Sequence, residues 1–343
     1  MKRFPWWTAM ALWPCWAAAG PSSADPLQFM LHDAGARASA LGGAYTALAF
    51  DSTALFYNPA GLGLAKRYEA TVMHDEFITN SHQDQVGICL KQGFGLAGNY
   101  RAFTRIPKTT VDNPWGMGLG HYGISSLAIG AGYGKEVLPN LSLGIGYKYI
   151  HEQIDDIAAN SHAVDVGILL VPRPRLALGF AVQNLGPPLR YHAATENLPL
   201  NFRWGAAYGF DWSGVAFTAS VDGMRQREDR TNVGSGIEGV VFKMLAFRLG
   251  YNSRNDGGPG ITWGFGLKRK GMSFDYAVAP YGKLGWSHRA GMTFRFGGGG
   301  DDWPDFQSEA VKLRPRPTPG LAAPVPPAAP PPARKKTPPA RRK

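Results

Sequence analysis

A chain of 343 residues with 44 glycines, 12% aromatic residues and only 18% charged ones has room for two ordinary domains or one large all-β one. The net charge of +11 would suit a nucleic-acid partner, but Lys2 and Arg3 carry two of those charges, residues 310–343 carry nine with no acid, and residues 25–309 hold 25 basic and 25 acidic side chains. A neutral body excludes a nucleic-acid surface there, and two cysteines, Cys15 and Cys89, build neither a disulfide framework nor a zinc site.

Residues 1–24 have the form of a secretory signal. Lys2 and Arg3 make a basic start, Phe4–Ala19 is mostly apolar, and Ser22-Ser23-Ala24 offers small residues before a cut at Asp25. Leu12-Trp13-Pro14-Cys15 resembles a lipoprotein box, which Pro14 disfavours. Export removes cytosolic enzyme functions. After this leader no run of eighteen apolar residues occurs, so no spanning helix is expected.

Residues 25–66 form a distinct segment. Gly35–Ala49 is built of small residues, with Gly42 and Gly43 at its centre, and suits close packing against a wall. Asp51 is placed to cap a short helix over Ser52–Tyr57. Pro59 disfavours helical geometry at Asn58 and stops it. The piece is too short for a core of its own.

From Arg67 the pattern becomes two-residue alternation, which predicts strands. Phe202, Trp204, Ala206, Tyr208, Phe210 and Trp212 share one face, and Asn201, Arg203, Gly205, Ala207, Gly209 and Asp211 the other. Fourteen such strands are expected: 67–79, 82–91, 93–103, 123–135, 140–151, 160–171, 174–184, 199–212, 214–223, 231–241, 244–252, 260–269, 271–281 and 286–296. An even number, aromatic residues at the ends of the apolar faces, and Arg, Lys, Asp and Gly on the opposite faces predict a transmembrane β-barrel with lipid outside and a plugged or wet lumen. Short and long connections alternate, as periplasmic turns and extracellular loops do.

The barrel pattern ends at Gly297. Residues 297–343 are rich in Pro, Ala, Lys and Arg and predict a disordered periplasmic tail. That tail is a spacer, or an arm that holds the anionic cell wall, peptidoglycan, through Arg334, Lys335, Lys336, Arg341, Arg342 and Lys343. Phe294 and Phe296 resemble the terminal-strand signal read by the barrel-assembly machinery. With an even strand count both termini are expected in the periplasm, at the outer membrane of a Gram-negative-type bacterium.

Other motifs carry little. Gly93–Gly98 fits G-x-G-x-x-G, as do Gly118–Gly123 and Gly234–Gly239, but none follows a strand and opens a helix. The eight histidines show no helix-face metal spacing. Asn252–Gly258 suits a polar turn better than a calcium loop. No residue set selects a catalytic pair, so neither enzyme activity nor a cofactor is expected.

Arg37–Ala49 with Asp51–Leu62 resembles the N-terminal plug of the PorV/PorQ family, a branch of FadL-like outer-membrane proteins. Asn184–Pro188 and Leu198–Arg203 are similar to that family's mid-barrel signature. The resemblance implies a fourteen-stranded barrel with an N-terminal hatch in its lumen. It also implies that Asn58-Pro59-Ala60 is the hatch's Asn-Pro-Ala triplet, lying near a deformation of the third strand through which apolar ligands leave sideways. Gly93, Gly95 and Gly98 would permit that bend, or merely clear space for the hatch. The function implied first is a conduit or shuttle for exported cargo, with secretion-system subunits as partners. Alternatives are uptake of hydrophobic small molecules and anchoring of the membrane to the wall.

Overall fold

The computed structural model describes residues 27–65, 67–77, 81–192, 194–227 and 230–297. The expected leader, most of the expected tail and its basic residues lie outside these. The alternation seen in sequence becomes fourteen long strands: β1 (Tyr68–Phe77), β2 (Ser81–Cys89), β3 (Phe94–Pro107), β4 (His121–Leu138), β5 (Leu141–Ile154), β6 (Ile157–Arg173), β7 (Leu176–Leu185), β10 (Asn201–Trp212), β11 (Val215–Gln226), β12 (Thr231–Val241), β13 (Leu245–Asn252), β14 (Ile261–Arg269), β15 (Met272–Pro280) and β16 (Trp286–Phe296). A small hairpin, β8 (Leu189–Arg190) with β9 (Thr195–Glu196), sits in the connection after β7. Each long strand pairs antiparallel with its neighbours, and β16 closes onto β1 with Tyr68 opposite Phe296 and Glu76 opposite His288.

Side chains obey the period of two. On β14, Ile261, Trp263, Phe265 and Leu267 are exposed on the outside, and Thr262, Gly264, Gly266 and Lys268 are buried inside. Two outward glycines are covered by aromatic rings: Trp204 lies over Gly223 and Phe217 over Gly239.

One end of the barrel, the turn end, holds the start of β1 and the finish of β16. Its connections are tight, and Ser213-Gly214, Phe242-Lys243 and Lys270-Gly271 have positive φ at both central residues, the conformation that matches hairpin twist. The other end, the loop end, holds residues 108–120, 186–200 and 253–260. There β3–β6 run further than the alternation predicts. β5 and β6 meet at a tight turn on Asp155, whose φ is 55°, instead of the eight-residue connection expected from 152 to 159. The apolar pattern stops at His151 and His162 because the outward residues beyond them, Gln153, Asn160 and Ala158, are polar or small, while the hydrogen-bond ladder needs no apolar alternation to continue.

Residues 27–65 fill the inside of the barrel. This inner segment holds a single 3₁₀ turn at Gln28–Leu31, α1 (Ala36–Ala40), α2 (Ala54–Tyr57) and a second 3₁₀ stretch at Pro59–Leu64. The helix after Asp51 is shorter than expected. Asp51 accepts from Thr53 N at 2.9 Å and from Thr53 Oγ1 at 2.6 Å in a local turn, and Pro59 ends α2 at an extended Asn58, as anticipated. Gln28 reaches Gln226 at the loop end. Leu27 and Phe296 therefore lie at opposite ends of the barrel; the termini, both expected in the periplasm, lie outside the described residues.

Candidate functional site: a stoppered lumen

The two sides of the inner segment are held by different chemistry. Towards β4–β6 the contact is backbone on glycine. A Cβ at Gly144 would come within 2.2 Å of Pro59 C, and one at Gly167 within 2.0 Å of Asn58 Oδ1, so only glycine admits the segment here. Asn58 staples this half: Oδ1 accepts from Ala60 N at 3.1 Å, and Nδ2 donates to Thr46 O at 3.2 Å and Ile168 O at 3.0 Å. Ser142 Oγ donates to Ala60 O at 2.6 Å.

Towards β10–β16 and β1 the contact is ionic. Asp222 Oδ2 accepts from Tyr45 N (3.0 Å), Thr46 N (2.8 Å), Thr46 Oγ1 (2.5 Å) and Arg203 Nη2 (3.1 Å). Arg203 also donates to Gly43 O at 2.8 Å and stacks over Tyr57. Arg37 grips Glu238 with two bonds of 3.0 and 2.7 Å, and Glu238 accepts from Arg248, which also reaches Asp275. Asp75 holds Arg289 at 2.9 Å and His32 at 2.8 Å. Glu69 accepts from Ser52 N and Oγ at 3.1 and 3.0 Å and from Arg295 at 2.6 Å. Gly42, at φ 65°, lets the segment touch the wall: a Cβ there would sit 2.2 Å from Tyr251 O. Such charges are nearly water-free, so their pairing is what makes their burial tolerable.

A second seal lies at the loop end. The connection 186–200 folds inward, and Leu189 and Leu198 pack with Leu27, Phe29, Ile150, Ala159 and Ala163 in one buried cluster. This lid is tied by Ser161 Oγ to Pro187 O at 2.7 Å, by Asn184 Nδ2 to Pro199 O at 2.9 Å, and by Tyr191 to Glu152. Burial and the Glu152 carboxylate both push the Tyr191 phenol above its ordinary range. Leu189→Ala should loosen lid docking by about 2–5 kcal/mol, read as faster proteolysis within residues 186–200 with cleavage elsewhere unchanged. Between the lid cluster and the deeper core around Leu55, Tyr57 and Leu62 lies a cavity of about 20 Å³ lined by Met30, Leu55, Phe56, Ala97, Ala128 and the Lys148–Asp165 pair. It has the size of a single water site.

The three third-strand glycines are separated by the fold. Gly93 is in the turn before β3 at φ 91°, Gly95 faces inward with Leu62 where its Cβ would be, and Gly98 faces outward into open space. The ladders on both sides of β3 run unbroken from Gly95 through Phe103, and the irregularity falls between Phe103 and Ile106. Phe294 and Phe296 lie on β16 at the turn end, and Phe296 is exposed. Asn252–Asp256 is a polar turn spent on neighbours: Asn252 binds Asp33, Asn255 binds Pro280 O, and Asp256 pairs with Arg230. The luminal acids were missed as site residues, although their place on the non-aromatic side of alternating strands was a usable signal.

Residues 21–198 match the profile of a family described as an uncharacterised protein family, UPF0164, which is more than half of the chain. The chain belongs to that family. The UPF0164 match takes in the inner segment, the glycine side of the wall and nearly all of the lid, and it stops before Arg203, Asp222 and Glu238. No curated protein matches the sequence significantly. In fold the UPF0164 chain is similar to the CymD monoaromatic hydrocarbon channel, with a TM-score of 0.53 and 11% identity over 77% of this chain and 98% of that one. The Pseudomonas putida toluene transporter TodX is similar to the same degree, with a TM-score of 0.53 and 10% identity over 76% of this chain and 97% of that one.

Proposed function

We propose that the protein is an outer-membrane barrel that passes small apolar molecules, with residues 33–62 as a hatch and residues 186–200 as an outer lid. The carrying observation is the lumen itself: two apolar seals in series with a largely apolar cavity between them. The outward band of exposed Leu, Ile, Val and aromatic side chains supports lipid as the surrounding medium, and the shared fold with two hydrocarbon carriers supports the class of cargo. The turn end then faces the periplasm, which puts Phe296 there and Leu27 near the cell surface. With both ladders of β3 closed, passage requires the hatch or the lid to move.

Deleting residues 33–62 should leave a barrel that assembles and raise toluene flux into proteoliposomes by at least roughly tenfold, since the ordered segment otherwise fills the bore. Unchanged flux in a folded deletion variant would defeat the gating function.

A second reading, a shuttle of the PorV/PorQ type for exported proteins, is favoured by one feature. The connection 108–120 stands on the projecting β3–β4 hairpin and exposes Val111, Trp115 and Met117 almost fully, an apolar surface of the kind that marks a protein contact. Co-purification of secretion subunits with the wild type but not with Trp115→Ser would support it.

A further inference from the structure

The outer wall changes character on β5 and β6 where the apolar band ends. Leu143, Ile145, Val166, Ile168 and Leu170 are exposed aliphatic residues. Beyond them the outward positions become Tyr147, Tyr149 and His151 on β5, and, after Val164, His162 and Asn160 on β6. These five side chains form one network. Tyr147 Oη lies 2.5 Å from His162 Nδ1, Tyr149 Oη donates to Asn160 Oδ1 at 2.7 Å, and His151 Nδ1 lies 2.7 Å from the same oxygen. The His162 ring is flanked by both tyrosine rings at 5.8 and 5.6 Å.

We infer that this network is a seat for the phosphate of a lipid headgroup, a site that rests on the membrane reading above. A phenol that donates to Nδ1 leaves the proton of a neutral imidazole on Nε2. Nε2 of His162 is then a donor pointed away from its partner. That N–H can donate to an anionic oxygen. The titratable groups on the network are Tyr147, Tyr149 and His151. The neighbouring wall strands present Leu127 and Ile129 from β4 and Leu185 from β7. Glu152, next to His151 in sequence, faces inward and accepts from Ser126, and Asp155 and Asp156 lie at the β5–β6 turn, Asp155 paired with Lys108 at 2.6 Å.

His288 on β16 repeats the pairing, with Nδ1 2.7 Å from Tyr276 Oη, whereas His74 on β1 and His82 on β2 contrast with it. His74 Nδ1 is 2.7 Å from Asp84 with its Nε2 3.5 Å from Glu76, and His82 reaches Asp84 at 4.0 Å. Those rings serve carboxylates of the protein itself, and Asp84 and Glu76 would repel a phosphate. The lipid as occupant follows from continuity: the network is the next row above a band whose exposed side chains already face hydrocarbon.

The test is lipid retention. Liposomes of a neutral galactolipid, with or without phosphatidylglycerol, receive the full chain. The barrel is then extracted in neutral detergent and weighed intact with its bound lipid. Wild type should retain phosphatidylglycerol roughly tenfold more than galactolipid. His151→Phe/His162→Phe should lose that preference, and His74→Phe should keep it. Equal retention by wild type and the double variant overturns the site. Displacement by inorganic phosphate as readily as by lipid also overturns it, because the ligand would then be a free anion. Flotation separates the two readings: failure of the protein to float with either liposome defeats the membrane reading and takes the site with it, whereas flotation without headgroup preference defeats the site alone.

Discussion

Asp222→Ala should turn a closed barrel into a conducting one while leaving its assembly intact. Asp222 lies on β11, but its wall bonds are backbone bonds that the substitution does not touch. What is lost is the acceptor for two backbone N–H groups and one hydroxyl of the hatch, and the counter-charge of Arg203, whose side chain is only 2% exposed. Breaking a buried ion pair from one side costs about 3–5 kcal/mol. Orphaning backbone donors adds to it, while Arg203 keeps Gly43 O, Thr46 Oγ1 and the Tyr57 ring. The open population should therefore rise by about 10²–10³-fold. It would be read as single-channel conductance in planar bilayers and as thiol labelling of Ala47→Cys, a position 1% exposed in the closed barrel. The labelling is done in a Cys89→Ser background. Asp222→Asn, which keeps an acceptor and loses the charge, should fall between. Conductance and labelling equal to wild type in a folded Asp222→Ala barrel would show that the ionic side does not hold the hatch.

The architecture was legible because a barrel wall writes itself locally. Each strand needs only its own alternation, and all fourteen expected strands are present. Ends were less legible. β5 and β6 continue past His151 and His162, where the outward residues turn polar and the signal fades although the ladder does not. The site was legible on one side only. Asn58-Pro59-Ala60 declares itself by the turn chemistry of proline and asparagine. The acids that hold the other half of the segment do not, because Arg37 meets Glu238 across 201 residues of sequence and Thr46 meets Asp222 across 176. Only closure of the barrel brings them together. Grouping Gly95 with Gly98 was avoidable. They are three positions apart on one strand, so period two sends them to opposite faces, one against Leu62 and one into open space.

On the proposed function the two sides of the hatch respond differently to the medium. The glycine side offers the hatch close packing and few charges, so little there changes with medium. The ionic side is where pH and salt act, and its most exposed element to titration is His32 at the start of the segment. Its ring sits among Asp75, Ser287 and Arg289 of the wall, edge-on to Phe77, with Arg101, Arg254, Asp33 and Tyr281 around the same pocket. Burial, and then the Arg289 cation, lower its pKa from 6.5 to about 4, against the opposing pull of Asp75.

Acidification should therefore release the hatch. Below pH 6.5 a released His32 takes up a proton that the docked ring refuses until about pH 4. The released state binds more protons throughout that window, so docking weakens as pH falls. Each unit is worth about 1.4 kcal/mol, and the full window roughly 3 kcal/mol. Docking is at full strength above pH 6.5 and loses this contribution progressively down to pH 4. Channel-open probability measured between these limits should climb by about 10²-fold in wild type. In His32→Gln, which stays neutral and keeps a donor for Asp75, the slope over that window should flatten. A slope unchanged by His32→Gln would place the acid response elsewhere and leave the histidine a packing role beside Phe77.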